Sequence, residues 1–403
     1  MSGKPPSRDS SAPARRARRG TARRAPATHS HAPAPHRPRS PFPLFGFSGL
    51  LLALLTLAAG AAQARPWDWR RDTGVQLRWR IGYDSNLFDY SASDIDRFLD
   101  GRLPLETSLA TYDDLVQEWA VRLRFVSPGI HNRYKTRLYY IAGYRSHWKN
   151  RFDDRASHSL LLLQRTVRKV DLIGSYFWIP DRYLRDYYDR DTGRVSATKF
   201  SYHYGTAGLR VQLTRSLRAE MRYEGYAVYY NPLFTEYDTK GRGLRGELRW
   251  RTSDALSITV ELRRRWADNT GYEESTGLAA SDSTLDAEYG DGSYGESWLQ
   301  VGIDWMPDRL VAGREWNLGA SLRLRHRYYT SALPLSEDPF HRGREHLQHL
   351  LKLSLQTQVF PGIDAVLEAE IEGRRTDSPL DRVIEVKDYD TRRLWLRFSY
   401  DLW

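Results

Sequence analysis

Apolar and polar side chains alternate with a period of two through most of the chain beyond residue 72. Val75, Leu77, Trp79, Ile81 and Tyr83 interleave with Gln76, Arg78, Arg80 and Gly82. Leu256, Ile258, Val260 and Leu262 interleave with Ser257, Thr259, Glu261 and Arg263. Ala365, Leu367, Ala369 and Ile371 do so with Val366, Glu368, Glu370 and Glu372. Successive side chains of a strand point to opposite faces, so each segment has one greasy and one charged face, whereas a helix would scatter both sets around its circumference. The pattern predicts strands near 73–84, 113–126, 133–146, 156–167, 170–179, 200–213, 217–230, 241–252, 256–267, 297–306, 316–329, 346–359, 364–375 and 391–402.

The expected connections alternate in length. Short ones fall at 127–132, 168–169, 214–216, 253–255, 307–315 and 360–363, and long ones at 85–112, 147–155, 180–199, 231–240, 268–296, 330–345 and 376–390. Fourteen antiparallel strands with both termini on the short-turn side fit that alternation. Most segments reach the ~9–11 residues that cross a bilayer at the usual tilt. Aromatics gather toward strand ends (Trp79, Tyr83, Trp119, Trp178, Trp250, Trp266, Trp305, Trp316, Tyr328 and Trp395), where an interfacial girdle sits. A soluble sandwich also has one apolar face per strand, but its strands are shorter and its polar face meets bulk water. Lipid cannot satisfy a sheet edge, so spanning strands must close. The expectation is an all-β, transmembrane, up-and-down antiparallel barrel of about fourteen strands over residues 65–403.

If the apolar series faces lipid, the other series faces the lumen. On this register the lumen-lining cations begin with Arg78 and Arg80, Arg122 and Arg124, and Arg137. They continue with Arg245 and Arg249, Arg263 and Arg265, then Arg323, Arg325 and Arg327, and Arg249, Arg263, Arg323 and Arg325 are expected at mid-height. The lumen-lining acids are Glu118, Glu247, Glu261, Glu368, Glu370 and Glu372. Cations exceed acids on this face. The functional reading is an electropositive pore that concentrates anions. The structural alternative is an Arg–Glu ladder pairing across neighbouring strands. A loop folded inward would close such a barrel.

Charge is unevenly spread along the chain. Residues 1–64 carry ten Lys/Arg and one Asp, and the rest carries 51 basic and 49 acidic side chains, so the folded part is nearly neutral and no nucleic-acid partner is expected. The front end combines a basic stretch (Arg15-Arg16-Ala17-Arg18-Arg19), an apolar run around Leu50–Leu55 and a small-x-small ending, Ala62-Gln63-Ala64. That order reads as a cleavable signal peptide over 1–64, sending the mature chain out of the cytoplasm. No cysteine is present, which excludes a disulfide framework, a thiolate metal site and a thiol nucleophile.

Candidate chemistry is sparse. Ser157-His158-Ser159, His203, and His326 beside Arg325 and Arg327 are the residues an outer-membrane hydrolase would draw on, but no nucleophile–base signature forms around them. Asp282, Asp286, Glu288 and Asp291 could surround calcium, without a fixed ligand spacing. Neither an enzyme nor a cofactor or metal is the expectation.

Two short stretches carry resemblance. The end of the chain, Leu394 to Trp403, resembles the aromatic terminal strand of bacterial outer-membrane barrels, with its apolar series one residue out of step. Tyr83-Asp84-Ser85-Asn86-Leu87-Phe88 resembles a stretch in barrels attached to tetratricopeptide-repeat periplasmic domains, namely the surface lipoprotein assembly modifiers and exopolysaccharide exporters. The resemblance implies a barrel whose periplasmic partner would be a separate chain. Taken together, these features predict a Gram-negative outer-membrane channel or export conduit for anionic solutes or polymers, polysaccharide among them, with periplasmic termini. Its other expected partners are membrane lipid, lipopolysaccharide and the barrel-assembly machinery. The alternatives are a closed barrel whose loops bind a surface partner or glycan, and an outer-membrane hydrolase.

Overall fold

The computed structural model describes residues 72–102, 109–128, 134–189, 194–272, 290–307 and 313–402. The expected signal peptide lies outside them. Fourteen strands follow one another: β1 (Thr73–Asp84), β2 (Asp114–Pro128), β3 (Lys135–His147), β4 (Arg155–Val167), β5 (Val170–Asp189), β6 (Arg194–Gln212) and β7 (Leu217–Tyr230). The second half is β8 (Thr239–Arg251), β9 (Leu256–Asp268), β10 (Tyr294–Trp305), β11 (Trp316–Tyr329), β12 (Glu345–Phe360), β13 (Ile363–Asp377) and β14 (Tyr389–Asp401). Each pairs antiparallel with its sequence neighbours, and β1 closes the ring on β14 through nine register pairs from Gln76↔Asp401 to Asp84↔Arg393. Closure leaves no strand edge unpaired, the condition for a sheet in hydrocarbon.

The outer face carries the apolar series. Met221 and Leu262 are 61% and 60% exposed, and Leu77, Trp119, Leu248, Trp250, Leu353 and Leu394 are exposed with them. Such a continuous apolar belt on a monomer would not stay soluble; facing acyl chains it costs nothing. Strands of at least 12 residues rise about 3.3 Å per residue, enough to cross the ~30 Å hydrocarbon layer at a barrel tilt. The protein is a transmembrane antiparallel barrel, the architecture of bacterial outer-membrane proteins.

Two expectations change. Within 180–199, expected as a long loop, residues 180–189 and 194–199 instead prolong β5 and β6 into a paired ribbon reaching Asp189↔Arg194. Pro180 falls in the bulge between Ile179 and Arg182, where its missing N–H costs no ladder bond, and pairing resumes beyond it. Trp395, expected in the aromatic girdle, is only 3% exposed and lies on the inner face, over Gly82 and under the Arg80 guanidinium at 3.9 Å. Its neighbours Leu394 and Leu396 already occupy the outward positions of β14, so the period of two turns Trp395 inward.

Among the described residues, two α-helices lie in the long connections. α1 (Ala92–Leu99) starts at Ser91, whose hydroxyl accepts the Asp94 N–H at 3.0 Å, and α2 (Asp381–Lys387) precedes β14.

Candidate functional site

Contacts between strands that are not neighbours identify the inner face, because side chains converge only on the concave side of a closed sheet. Tyr226 on β7 meets Tyr294 on β10 through their hydroxyls at 2.9 Å, past two intervening strands. Arg80 on β1 reaches Glu368 on β13 at 3.1 Å, past β14. Small residues make the crossings: Gly241 and Ala267 lie in the row between the two tyrosines, and a side chain at Gly241 would collide with the Tyr226 ring.

One part of this wall is densely paired. Glu224, with a side chain 0% exposed, accepts from Arg263 at 2.5 Å, from Arg265 at 3.1 Å and from the Tyr204 hydroxyl at 2.6 Å. Arg265 reaches it across β8 because Gly243 stands between them and has no side chain to interpose. Glu296 holds Arg327 at 2.7 Å and Arg325 at 3.8 Å. Arg245 bridges Glu247 at 3.0 Å and Glu261 at 2.7 Å. Arg263 and Arg323 sandwich Trp298 at 4.1 and 4.6 Å, and the indole N–H donates to Glu261 at 3.2 Å. Arg323 has the Gln300 amide oxygen as its partner at 2.9 Å. Arg249 contacts Asp304 at 3.5 Å, two residues from the short-turn end of β8 rather than at mid-height. Next to the seam between β14 and β1, Glu118 pairs with Arg145 and with Arg80 at 3.3 Å, Glu370 with Lys352 at 3.4 Å, and Glu372 with Arg393 at 2.6 Å.

The wall formed by the short-turn halves of β1–β3 is different. Arg78 donates to the Gln76 amide oxygen at 2.6 Å, Arg124 to the Thr73 carbonyl at 3.3 Å, and Arg122 stacks on Tyr139 at 4.4 Å. Arg78, Arg122, Arg124, Lys135 and Arg137 have no carboxylate within ion-pair distance among the described residues. Inner-wall cations without a carboxylate partner are thus concentrated on one side, at one end, although Arg323 on the other sector also lacks one among the described residues.

At the opposite, long-loop end, the segment Ser85–Tyr90 turns inward. Asn86 holds it: its amide donates to the carbonyls of Tyr90 at 2.8 Å and Asp390 at 3.1 Å, and its side-chain oxygen accepts the Tyr90 N–H at 2.9 Å. Asp84 accepts from the Asn86 N–H, from the Thr391 hydroxyl and from Arg393. Phe88 packs on Phe152 and Tyr183, and Asp89, at φ 54°, faces Arg393 at 3.5 Å. Leu87, Phe88 and Asp89 enclose a cavity of about 300 Å³ against Arg80, Glu370 and Trp395 of the wall. Burial and the nearby Glu372 push the Asp89 carboxyl up to about 6, against the pull of Arg393. Its side chain, 42% exposed, lines that cavity.

The other candidates separate. Ser157 and His158 point to opposite faces of β4, and His158 lies on the outer wall, its Nδ1 2.9 Å from the Tyr140 hydroxyl and its ring against Trp178. His203 repeats this with Tyr176 at 2.7 Å, and His326, also outward, pairs with Glu345 at 2.8 Å while Arg325 and Arg327 turn inward. None of these histidines hydrogen-bonds a serine among the described residues: His326 stands opposite Ser297, but that hydroxyl accepts from Arg264. Asp282, Asp286 and Glu288 lie outside the described residues, and Asp291 accepts the Ser293 N–H at 3.0 Å. Glu296 and Arg393 were the central inner-wall residues the sequence reading missed. Glu296 sits one residue before the expected start of its strand, and extending the alternation of Trp298 and Gln300 backward would have found it. Arg393 shares the inward parity of Arg397 and was legible from it.

No family model matches the chain, and no curated protein matches it. Solved structures of similar outline include a bacterial polysaccharide outer membrane secretin (9% identity, 81% of this chain and 98% of that one, TM-score 0.39). Others are Acinetobacter baumannii OccAB3 (11% identity, 82% and 100%, TM-score 0.39) and Pseudomonas aeruginosa OccK3 (15% identity, 83% and 97%, TM-score 0.37). Likeness at this level assigns neither a family nor a function to this chain.

Proposed function

We propose that this protein is an outer-membrane channel that favours anionic solutes, with the short turns and both termini on the periplasmic side. The observation that carries the reading is the cluster Arg78, Arg122, Arg124, Lys135 and Arg137, whose guanidinium and ammonium groups lack carboxylate partners among the described residues. Ion pairing weakens the field of the densely bridged wall, where two arginines share each of Glu224 and Glu296, and the cations without carboxylate partners add most strongly to the potential where a solute would pass. Low-dielectric walls focus that field, and rows of Arg and Lys select anions. The inward segment Ser85–Tyr90 narrows the long-loop end and is the natural place for size selection. Reversal potentials of the purified protein in a planar bilayer under a salt gradient test this. An anion preference is expected; a cation preference, or no conductance with the segment released, overturns it.

A further inference from the structure

A second cavity, of about 370 Å³, opens at the short-turn end of the inner wall between β3 and β6. Among the described residues, Lys135, Arg137, Arg165, Arg168 and Arg210 line it with Tyr134, Leu163 and a single carboxylate, Asp171. Asp171 is taken by Arg165 at 2.9 Å, and Arg210 is held by Glu220 at 2.9 Å. Lys135, Arg137 and Arg168 have no carboxylate within ion-pair distance among the described residues, and all three are exposed. The paired arginines are fixed in place, which makes their remaining N–H donors directional. The three unpaired cations supply uncompensated charge around the same space.

We propose that this cavity is a binding site for a compact, multiply charged anion of the phosphate class, entered from the short-turn side. Guanidinium forks match the oxygens of phosphate, and charge-assisted bonds of this kind are about twice as strong as neutral ones. Several cations around one cavity reward an anion with two charged groups over a halide, which offers one point charge and no directional acceptors. The apolar Leu163 wall lowers the local dielectric and strengthens each contact. The site shares the inner wall with the proposed channel but does not require conduction.

Calorimetric titration of the detergent-solubilised full chain with inorganic pyrophosphate tests the site, with orthophosphate and chloride as comparison ligands. Saturable binding is expected, pyrophosphate tighter than orthophosphate and chloride without saturation. The triple variant Lys135→Gln, Arg137→Gln, Arg168→Gln is expected to weaken pyrophosphate about tenfold or more. These side chains are exposed, so strand circular dichroism should be unchanged, and Arg137→Lys should retain most of the binding. No saturable binding by the native chain, or equal binding by the triple variant, overturns the site. A barrel that conducts nothing but binds pyrophosphate refutes the channel alone; a conducting anion-selective barrel without such binding refutes the site alone.

Discussion

The same residue type serves opposite ends on two sectors of one wall. On β7–β11, Arg263, Arg265, Arg325 and Arg327 are tied to Glu224 and Glu296, and aromatic rings fill the gaps. On β1–β3, Arg78, Arg122, Arg124 and Arg137 are left with amide, carbonyl or ring partners, or with none among the described residues. The difference lies in the neighbours. Glutamates alternate with arginines along β7 and β8 and stand in a row on β13, whereas Tyr139, Ile141 and Leu163 share the inner face with the cations of β1–β3. Charge on a barrel interior therefore says little until its pairing is known: bridged arginine stiffens a wall, and unbridged arginine creates a field.

The sharpest way to break the comparison is to remove Glu224. Glu224→Ala strands Arg263 and Arg265 beside a buried void, and loss of one partner of a buried ion pair costs about 3–5 kcal/mol. Thermal unfolding in detergent should register a marked drop, while Arg122→Gln should stay within about 0.5 kcal/mol. Equal effects would erase the distinction between the two sectors.

Selectivity should respond the other way round. Replacing Arg78, Arg122, Arg124 and Arg137 together by Gln should lower the anion-to-cation permeability ratio several-fold in a bilayer. Arg325→Gln alone, from the bridged sector, should leave it nearly unchanged. A third measurement addresses the inward segment. Asn86→Ala removes three hydrogen bonds to the Ser85–Tyr90 loop and to Asp390, each worth about 1 kcal/mol net. Single-channel conductance should rise as the segment leaves the lumen, without a change of ion preference.

The smallest expected effect is on pH. Asp89 in the inward segment titrates near 6, above the ordinary carboxylate range, because burial and Glu372 disfavour its charge. With the folded value raised, its contribution to the inward state is fully present below the ordinary carboxylate value and is lost as pH rises through 6. The groups facing it are Glu372, Arg393, Arg374 and Asp84. Conductance should fall modestly on acidification from pH 7.5 to 5, and Asp89→Asn should flatten that response.

Much of the barrel was legible residue by residue. The bounds of β1, β7 and β11 coincide with the alternation, because a period of two with one greasy face has one interpretation when the strands are this long. The β5–β6 ribbon was not legible: Pro180 and dense charge resemble a loop, and only the pairing of its two arms past the bulge makes them strands. Tyr83 to Phe88 stood out as a motif, but its inward turn depends on Asn86 meeting the Asp390 carbonyl, 304 positions away.

Which side chains share a face follows from backbone geometry between adjacent residues, so that much is written in the order of amino acids alone. Which charges are neutralised was decided by the closed tertiary structure. Glu224 meets Arg263 over a neighbouring strand, and Arg80 meets Glu368 over the seam where the first and last strands join. Those encounters depend on closure, stagger and the placement of glycines such as Gly243 between the partners. Coulomb attraction falls with distance, so only a geometry that brings remote strands within a few ångströms can separate bridging arginines from free ones.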